Sequence, residues 1–419
     1  MKFQVFVNVC LCALSSVAVP TVERVSLSVD ETDAKRAKVS YELTGEAVVT
    51  AEICAKGVTC PGAFEGAVNA RLVAGEHTFF WRPDEGGAGS YSPGELKVKL
   101  SVWDPDDPPP YMAVDLYRPQ SAARYYASAS DVPGSPTSGL YKTEWMLFRR
   151  IPASETEKFQ MKGGGTHWVR LTKDYYLGVF EVTVSQYRCL MGNLSDALQY
   201  STTIAGWDLA WNDEACPVQI PYDRLRKATW PSDARGTSAM DAECHLRKFR
   251  ERYGIDFDLP TEAEWEFAAQ GGGTESETAV GDFAWYAENS AVPHKKDGTD
   301  YGCFPHPVGL KRPNAFGLYD MMGNMAEWVL DFKKGTLPTE TPYAEDPVGP
   351  SESEAEDAQR IVRGGSYASE AGGLGVDGRL WAGPGNWTLQ VGVRERIAPP
   401  TTHSYSIGFR FWAPAKAVK

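Results

Sequence analysis

Between residue 22 and about residue 118, apolar and polar positions alternate with a period of two. The alternation falls in six short runs: VSLSV (25–29), VSYEL (39–43), VVTAEI (48–53), HTFFW (77–81), LKVKLSVW (96–103) and MAVDL (112–116). It turns one side of each run toward a core and the other toward water, so each run reads as a half-buried strand, with turn residues between them at sandwich spacing. The region is therefore expected to be an all-β sandwich of the immunoglobulin or fibronectin type. DPDDPPP (104–110) cannot be a central strand, because proline gives no N–H to a ladder, and is expected as a surface excursion before a last edge strand. Its three aspartates are potential calcium ligands, but an exposed Asp-Pro loop also accounts for them.

Small, polar residues punctuated by proline and glycine fill PQSAARYYASASDVPGSPTSGL (119–140). This composition places a linker over 121–140, between a first domain at 19–120 and a second at 141–415. In the second domain, VRLTKDYYLGVFEVT (169–183) reads as strand and a helical stretch starts at Val184. Ser238 can cap a helix running to Tyr253, with Gly254 at its left-handed stop. LPTEAEWEFAAQGGG (259–273) predicts a short helix with Thr261 as N-cap, Glu264 as its capping-box partner and Gly271 ending it. The acidic, proline-rich stretch 340–357 has no apolar period and reads as a solvated loop.

The N-terminus breaks the alternation. Lys2, an apolar run from Phe3 to Leu14 and the small-x-small triplet Ser16-Val17-Ala18 have the layout of a signal peptide, with cleavage expected after Ala18. The alternative is an N-terminal strand. No later run reaches the ~18 apolar residues that a membrane span needs, so a secreted or otherwise extracytoplasmic protein with no membrane span is expected. The formal net charge of −13, with no Lys/Arg stripe, disfavours nucleic acid and anionic membrane as partners. Without the leader, Cys54, Cys60, Cys189, Cys216, Cys244 and Cys303 remain. Cys54 and Cys60 flank the short turn AKGVT and are plausible disulfide partners, whereas the pairing of the other four is open. Zinc is less favoured, because no CxxC or CxH spacing occurs.

Four blocks in order, GVFEVTVSQY (178–187), LPTEAEWEFAAQGG (259–272), NAFGLYDMMGNMAEW (314–328) and RIVRGGSY (360–367) with a terminal SIGFRFW (406–412), resemble the formylglycine-generating enzyme or sulfatase-modifying factor family. The resemblance covers roughly 140 to 415. It implies an α+β, C-type-lectin-like fold with a small twisted sheet and long loops. It also implies an oxidase that converts a client cysteine to formylglycine on copper held by two cysteines after RGGSY. Those two positions correspond to Ser369 and Leu374, and no cysteine occurs from Phe304 to Lys419. Soft thiolates suit Cu(I), so no copper is expected.

Ser366 matches the family's active-site serine, yet a serine needs a base, and His403, the only histidine after His306, has no sequence reason to reach it. Ala326 stands where the family carries an aromatic pocket wall. The resemblance further implies a structural calcium at Asp320, Gly323, Met325 and Glu327. The alternative is that Glu327 pairs with an arginine while Asp320 caps a turn. A catalytically degenerate scaffold that binds a glycan or an extracytoplasmic protein is therefore expected, with Trp381, Trp387, Arg394, Arg396 and Tyr405 as candidate contacts. The rival expectation is a diverged sulfatase-modifying oxidase working through other residues.

Overall fold

The computed structural model describes residues 5–9, 20–33, 36–55, 58–60, 62–83, 95–118, 123–154, 159–161, 167–191, 214–220, 222–226, 244–271, 280–293, 300–332, 344–350, 360–367, 369, 395–398 and 407–417. The chain divides into two compact units. One contains Met1–Asp115, Gln120–Ser138 and Ala415–Lys419, and the other contains Leu116–Pro119 and Gly139–Pro414.

The first unit is built mainly of β-strands, with one short 3-10 turn at Ala129–Asp131. Its strands are β1 (Val5–Val9), β2 (Val22–Val29), β3 (Ala37–Leu43), β4 (Ala47–Ala55), β5 (Val58–Thr59), β6 (Gly62–Gly66), β7 (Ala70–Leu72), β8 (Gly75–Pro83), β9 (Leu96–Trp103), β10 (Tyr111–Asp115) and β11 (Arg124–Tyr126). All six alternating runs fall on strands. One sheet has the order β1-β9-β4-β5, with β7 also on β4, and the other has the order β2-β3-β8-β6. Val39, Tyr41, Phe79 and Trp81 from one sheet and Val49, Ile53, Val98 and Leu100 from the other share a single apolar cluster. β1, inside the stretch read as a leader, pairs in parallel with β9, Val5 opposite Val98 and Val9 opposite Val102. β11 pairs with β10, so part of the expected linker is a strand of this unit.

The expected Cys54–Cys60 bridge is not formed, and both residues are thiols. The register explains why. Cys54 stands opposite Thr59, and the Cys60 N–H donates to the Ile53 carbonyl. Cys60 therefore shares the inward face with Ile53, and Cys54 points the other way, because neighbouring strand residues alternate faces.

The second unit is also rich in sheet, with short helices. It contains α1 (Leu140–Thr143), β12 (Trp145–Ile151), β13 (Phe159–Met161), β14 (His167–Arg170), β15 (Tyr175–Gly178), α2 (Val184–Met191), α3 (Tyr222–Leu225), α4 (His245–Tyr253), α5 (Glu262–Ala269) and α6 (Val280–Phe283). After these come β16 (Ala291–Pro293), β17 (Asp300–Cys303), β18 (Ala326–Phe332), β19 (Ala344–Glu345), β20 (Arg360–Arg363), β21 (Glu395–Ala398), β22 (Ile407–Gly408) and β23 (Trp412–Pro414). β15 lies between β12 and β23, and β18 lies between β20 and β22. Among the described residues no helix is long and apolar enough to cross a membrane.

Local signals set the helix ends. Thr261 accepts the Glu264 N–H while the Glu264 side chain accepts the Thr261 N–H, the reciprocal capping box of α5. α4 follows Cys244 and ends at Gly254 with φ 65°, as expected, while Ser238 lies outside the described residues. α5 then buries Ala263, Trp265, Ala268 and Ala269 in one cluster with Leu177, Val329, Ile361 and Trp412. Truncating a buried tryptophan such as Trp265 costs about 3–5 kcal/mol, so this helix anchors the strands beside it.

Candidate functional site

The family-like blocks converge on β18 and β20. These strands pair antiparallel, Glu327 opposite Arg363 and Trp328 opposite Val362, and β22 joins β18 in parallel with Ala326 opposite Ile407. All seven residues of β18 are buried, charged ones included. Such a strand is tolerable only if each charge has a partner.

Arg410 supplies the first partner. Its Nε and Nη2 donate to the Glu327 carboxylate at 2.9 and 2.6 Å, and its Nη groups also donate to the carbonyls of Gly178 and Tyr319, both at 2.9 Å. Trp265 Nε1 adds a third donor to Glu327 at 2.7 Å. On the next strand, Arg363 donates to Glu262 and Glu266 of α5 at 3.3 and 2.7 Å. Each guanidinium is fully buried, where its fixed fork matches carboxylate geometry.

Asn324 organises the corner next to this pair. Its N–H donates to the Trp285 carbonyl at 2.9 Å, and its carbonyl accepts the Tyr367 N–H at 2.9 Å. The side chain accepts the His306 N–H at 2.8 Å and donates to Glu181 at 2.7 Å. Beside it, Gly323 has φ 73°, and a Cβ there would lie 2.1 Å from the Trp285 carbonyl oxygen, so no side chain fits. Gly323 N–H donates to Gly364 O at 2.9 Å, which ties the loop before β18 to the RGGSY corner.

Within that corner, Ser366 and Ser369 are completely buried. Ser366 N–H donates to Ser369 Oγ at 3.0 Å, and Ser369 N–H returns to Ser366 O at 2.9 Å. Ser369 O accepts the Ala287 N–H at 2.8 Å, and Ser290 Oγ donates to Tyr367 O at 2.6 Å. Both hydroxyl-bearing positions are thus built into turns.

Of the positions that the resemblance implies for calcium, the Glu327 carboxylate faces Arg410, the Met325 N–H donates to Glu181 at 2.8 Å and the Gly323 N–H donates to Gly364 O, neither of which engages the carbonyl of Met325 or Gly323. Asp320 accepts the Gly309 N–H at 2.7 Å through Oδ2, and its Oδ1 has no hydrogen-bond partner among the described residues. Glu327 thus has an arginine partner and Asp320 a turn contact. No group of three or more His, Cys, Asp or Glu is placed to hold a metal among the described residues.

Burial pushes the Asp320 carboxyl up to about 6. Burial, reinforced by Asp320 and Glu327, holds Glu181 well above the usual carboxylate range. Glu181 was not foreseen as part of this cluster, although its signal is visible: it is an acid inside the apolar run GVFEVTV. Leu374, Trp381, Trp387, Arg394, His403 and Tyr405 lie outside the described residues. Arg396 falls on β21, whose side chains are likewise outside them.

Relatives place this architecture. The formylglycine-generating enzyme of Streptomyces coelicolor is 39% identical over 121 residues, which are 26% of this chain and 35% of that enzyme. The chain therefore spans about a third of that enzyme's length. The "Chaperone protein LppX" of Paenibacillus barcinonensis is 26% identical over 244 residues, 49% of this chain and 78% of that protein. Among solved structures, Treponema denticola variable protein 1 aligns with a TM-score of 0.44 at 23% identity, covering 64% of this chain and 95% of that chain. The model of the sulfatase-modifying factor enzyme 1-like domain matches residues 147–398, more than half of the chain. This chain belongs to the sulfatase-modifying factor enzyme 1-like domain family.

Proposed function

We propose that this protein is an extracytoplasmic binding module that keeps the family scaffold and lacks the family's oxidase chemistry. Residues 1–18 act as a leader, the first unit is an immunoglobulin- or fibronectin-like sandwich, and the second unit presents the surface that binds a glycan or a protein. Ser369 carries the reading. At the position that the family resemblance gives to a copper-binding cysteine, a buried hydroxyl closes a turn by accepting the Ser366 N–H at 3.0 Å. An oxygen already committed to a backbone donor is a poor ligand for Cu(I), which prefers thiolate. Leu374, at the second such position, has no donor atom. The family's copper does not fit these residues, and no oxidation step is assigned to them.

The relative named a chaperone protein matches a larger share of its own length, 78%, than the Streptomyces enzyme, at 35%. A relative named a chaperone protein rather than an enzyme accords with a non-catalytic use of the domain. The 39% identity to the Streptomyces enzyme favours the second reading, an oxidase acting on sulfatase cysteines through other residues.

Oxygen uptake separates the two readings. Protein beginning at Val19 is loaded with Cu(I) and mixed with a cysteine-containing peptide in an oxygen electrode. The binding-module reading expects no oxygen consumption and no aldehyde on the peptide, and turnover of either kind refutes it. Calorimetry against a glycan panel then tests the surface, with Trp387→Ala expected to weaken binding. Unchanged affinity in that variant removes Trp387 from the site.

A further inference from the structure

We propose that the segment from Ala415 to Ala417 is an intramolecular strap that locks the first unit, and that the DPDDPPP turn with Arg71 is its receptor. The chain leaves the second unit at Pro414, and Ala415–Lys419 cluster with the first. Two hydrogen bonds seat the strap through its backbone. Ala417 N–H donates to the Pro105 carbonyl at 2.7 Å, and Arg71 Nη1 donates to the Ala417 carbonyl at 2.8 Å.

Both halves of the receptor are fixed in advance. Arg71 Nε is held by Glu46 at 2.9 Å, and the arginine side chain is only 11% exposed. Asp104 Oδ1 accepts the Asp106 N–H at 2.8 Å and Asp104 O accepts the Asp107 N–H at 3.0 Å, so the turn that offers the Pro105 carbonyl is already formed. Little ordering entropy is then lost when the strap binds.

The seat selects by size. Ala417 is 3% exposed, so a longer side chain there would have to enter covered space. Lys416 sits 3.7 Å from Asp106, but both are exposed, so that pair contributes little. The receptor thus holds the N–H and the carbonyl of one residue with a small side chain. DPDDPPP, which from sequence is a bare loop or a weak calcium candidate, gains a role as a docking turn. β7, which carries Arg71, is a three-residue strand paired with β4, and the strap fastens to it.

Hydrogen exchange tests the strap on the whole protein. A chain stopped after Pro414 is compared with the full chain and with Ala417→Glu, which keeps the length but overfills the seat. Losing two hydrogen bonds, one from a charged donor, should speed amide exchange at 70–72 and 104–107 by roughly 10- to 30-fold. Millimolar peptide PAKAVK, added in trans to the shortened chain, should slow it again. Unchanged exchange in both variants, or faster exchange that the peptide fails to reverse, overturns the proposal.

Discussion

Changing Asp320 to asparagine should stabilise the protein at neutral pH and bring no gain in acid. Asp320 is 2% exposed, and burial raises its carboxyl from 3.8 to about 6. A raised folded value for an acid means that the native state holds its proton more tightly than the unfolded chain does. Between about pH 4 and pH 6 the unfolded chain has released the proton and the native state has not, so stability declines as pH rises through that window. Above it the penalty is constant, and below it there is none. A rise of that size corresponds to about 3 kcal/mol.

Asparagine keeps an oxygen for the Gly309 N–H and tolerates the φ of 56° found at this position. Its amide also introduces a buried donor, which offsets about 1–3 kcal/mol of the gain, so a net gain of up to about 2 kcal/mol is expected. In a unit of this size that is up to roughly 8 °C in Tm. The assay is thermal and urea unfolding of wild type and Asp320→Asn at pH 4, 5, 6 and 7.5 in EDTA, repeated with added calcium. An equal advantage at every pH refutes the argument from charge. So does a calcium-dependent gain confined to the wild type, which would restore Asp320 as a metal ligand.

Three further outcomes follow from contacts described above. Glu327→Gln strands the buried Arg410 charge and should cost about 3–5 kcal/mol in urea unfolding, far more than any exposed pair. Thr261→Ala removes the cap of α5 and should lower stability by about 0.5–2 kcal/mol, with Thr261→Ser close to wild type. Ser369→Ala leaves the Ser366 N–H without its acceptor in a buried corner, so a loss of about 1–3 kcal/mol is expected in the same assay.

The sequence reveals those parts of the structure whose cause is local. Period-two runs mark strands because a sheet in a mainly β unit has one wet face, and Thr261, Glu264 and Gly254 announce helix ends because the donors and acceptors they satisfy lie within four residues. Long-range partners are hidden. Nothing near Glu327 in the chain points to Arg410, 83 positions away, so an acid in a loop-to-strand segment reads equally well as a metal ligand. The Cys54–Cys60 expectation failed on register. Spacing shows that a turn can close, but not which residues it leaves on the same face. Strand β11 was overlooked because RYY (124–126) is three residues long, too short for a period to show, and its polar surroundings read as a linker.

Through its backbone and its carboxamide together, Asn324 joins four separate stretches of chain, at Glu181, Trp285, His306 and Tyr367. One residue thereby couples segments as far as 143 positions apart, so a change at this asparagine is felt in all four, whereas any one of the four can vary while the other three stay tied.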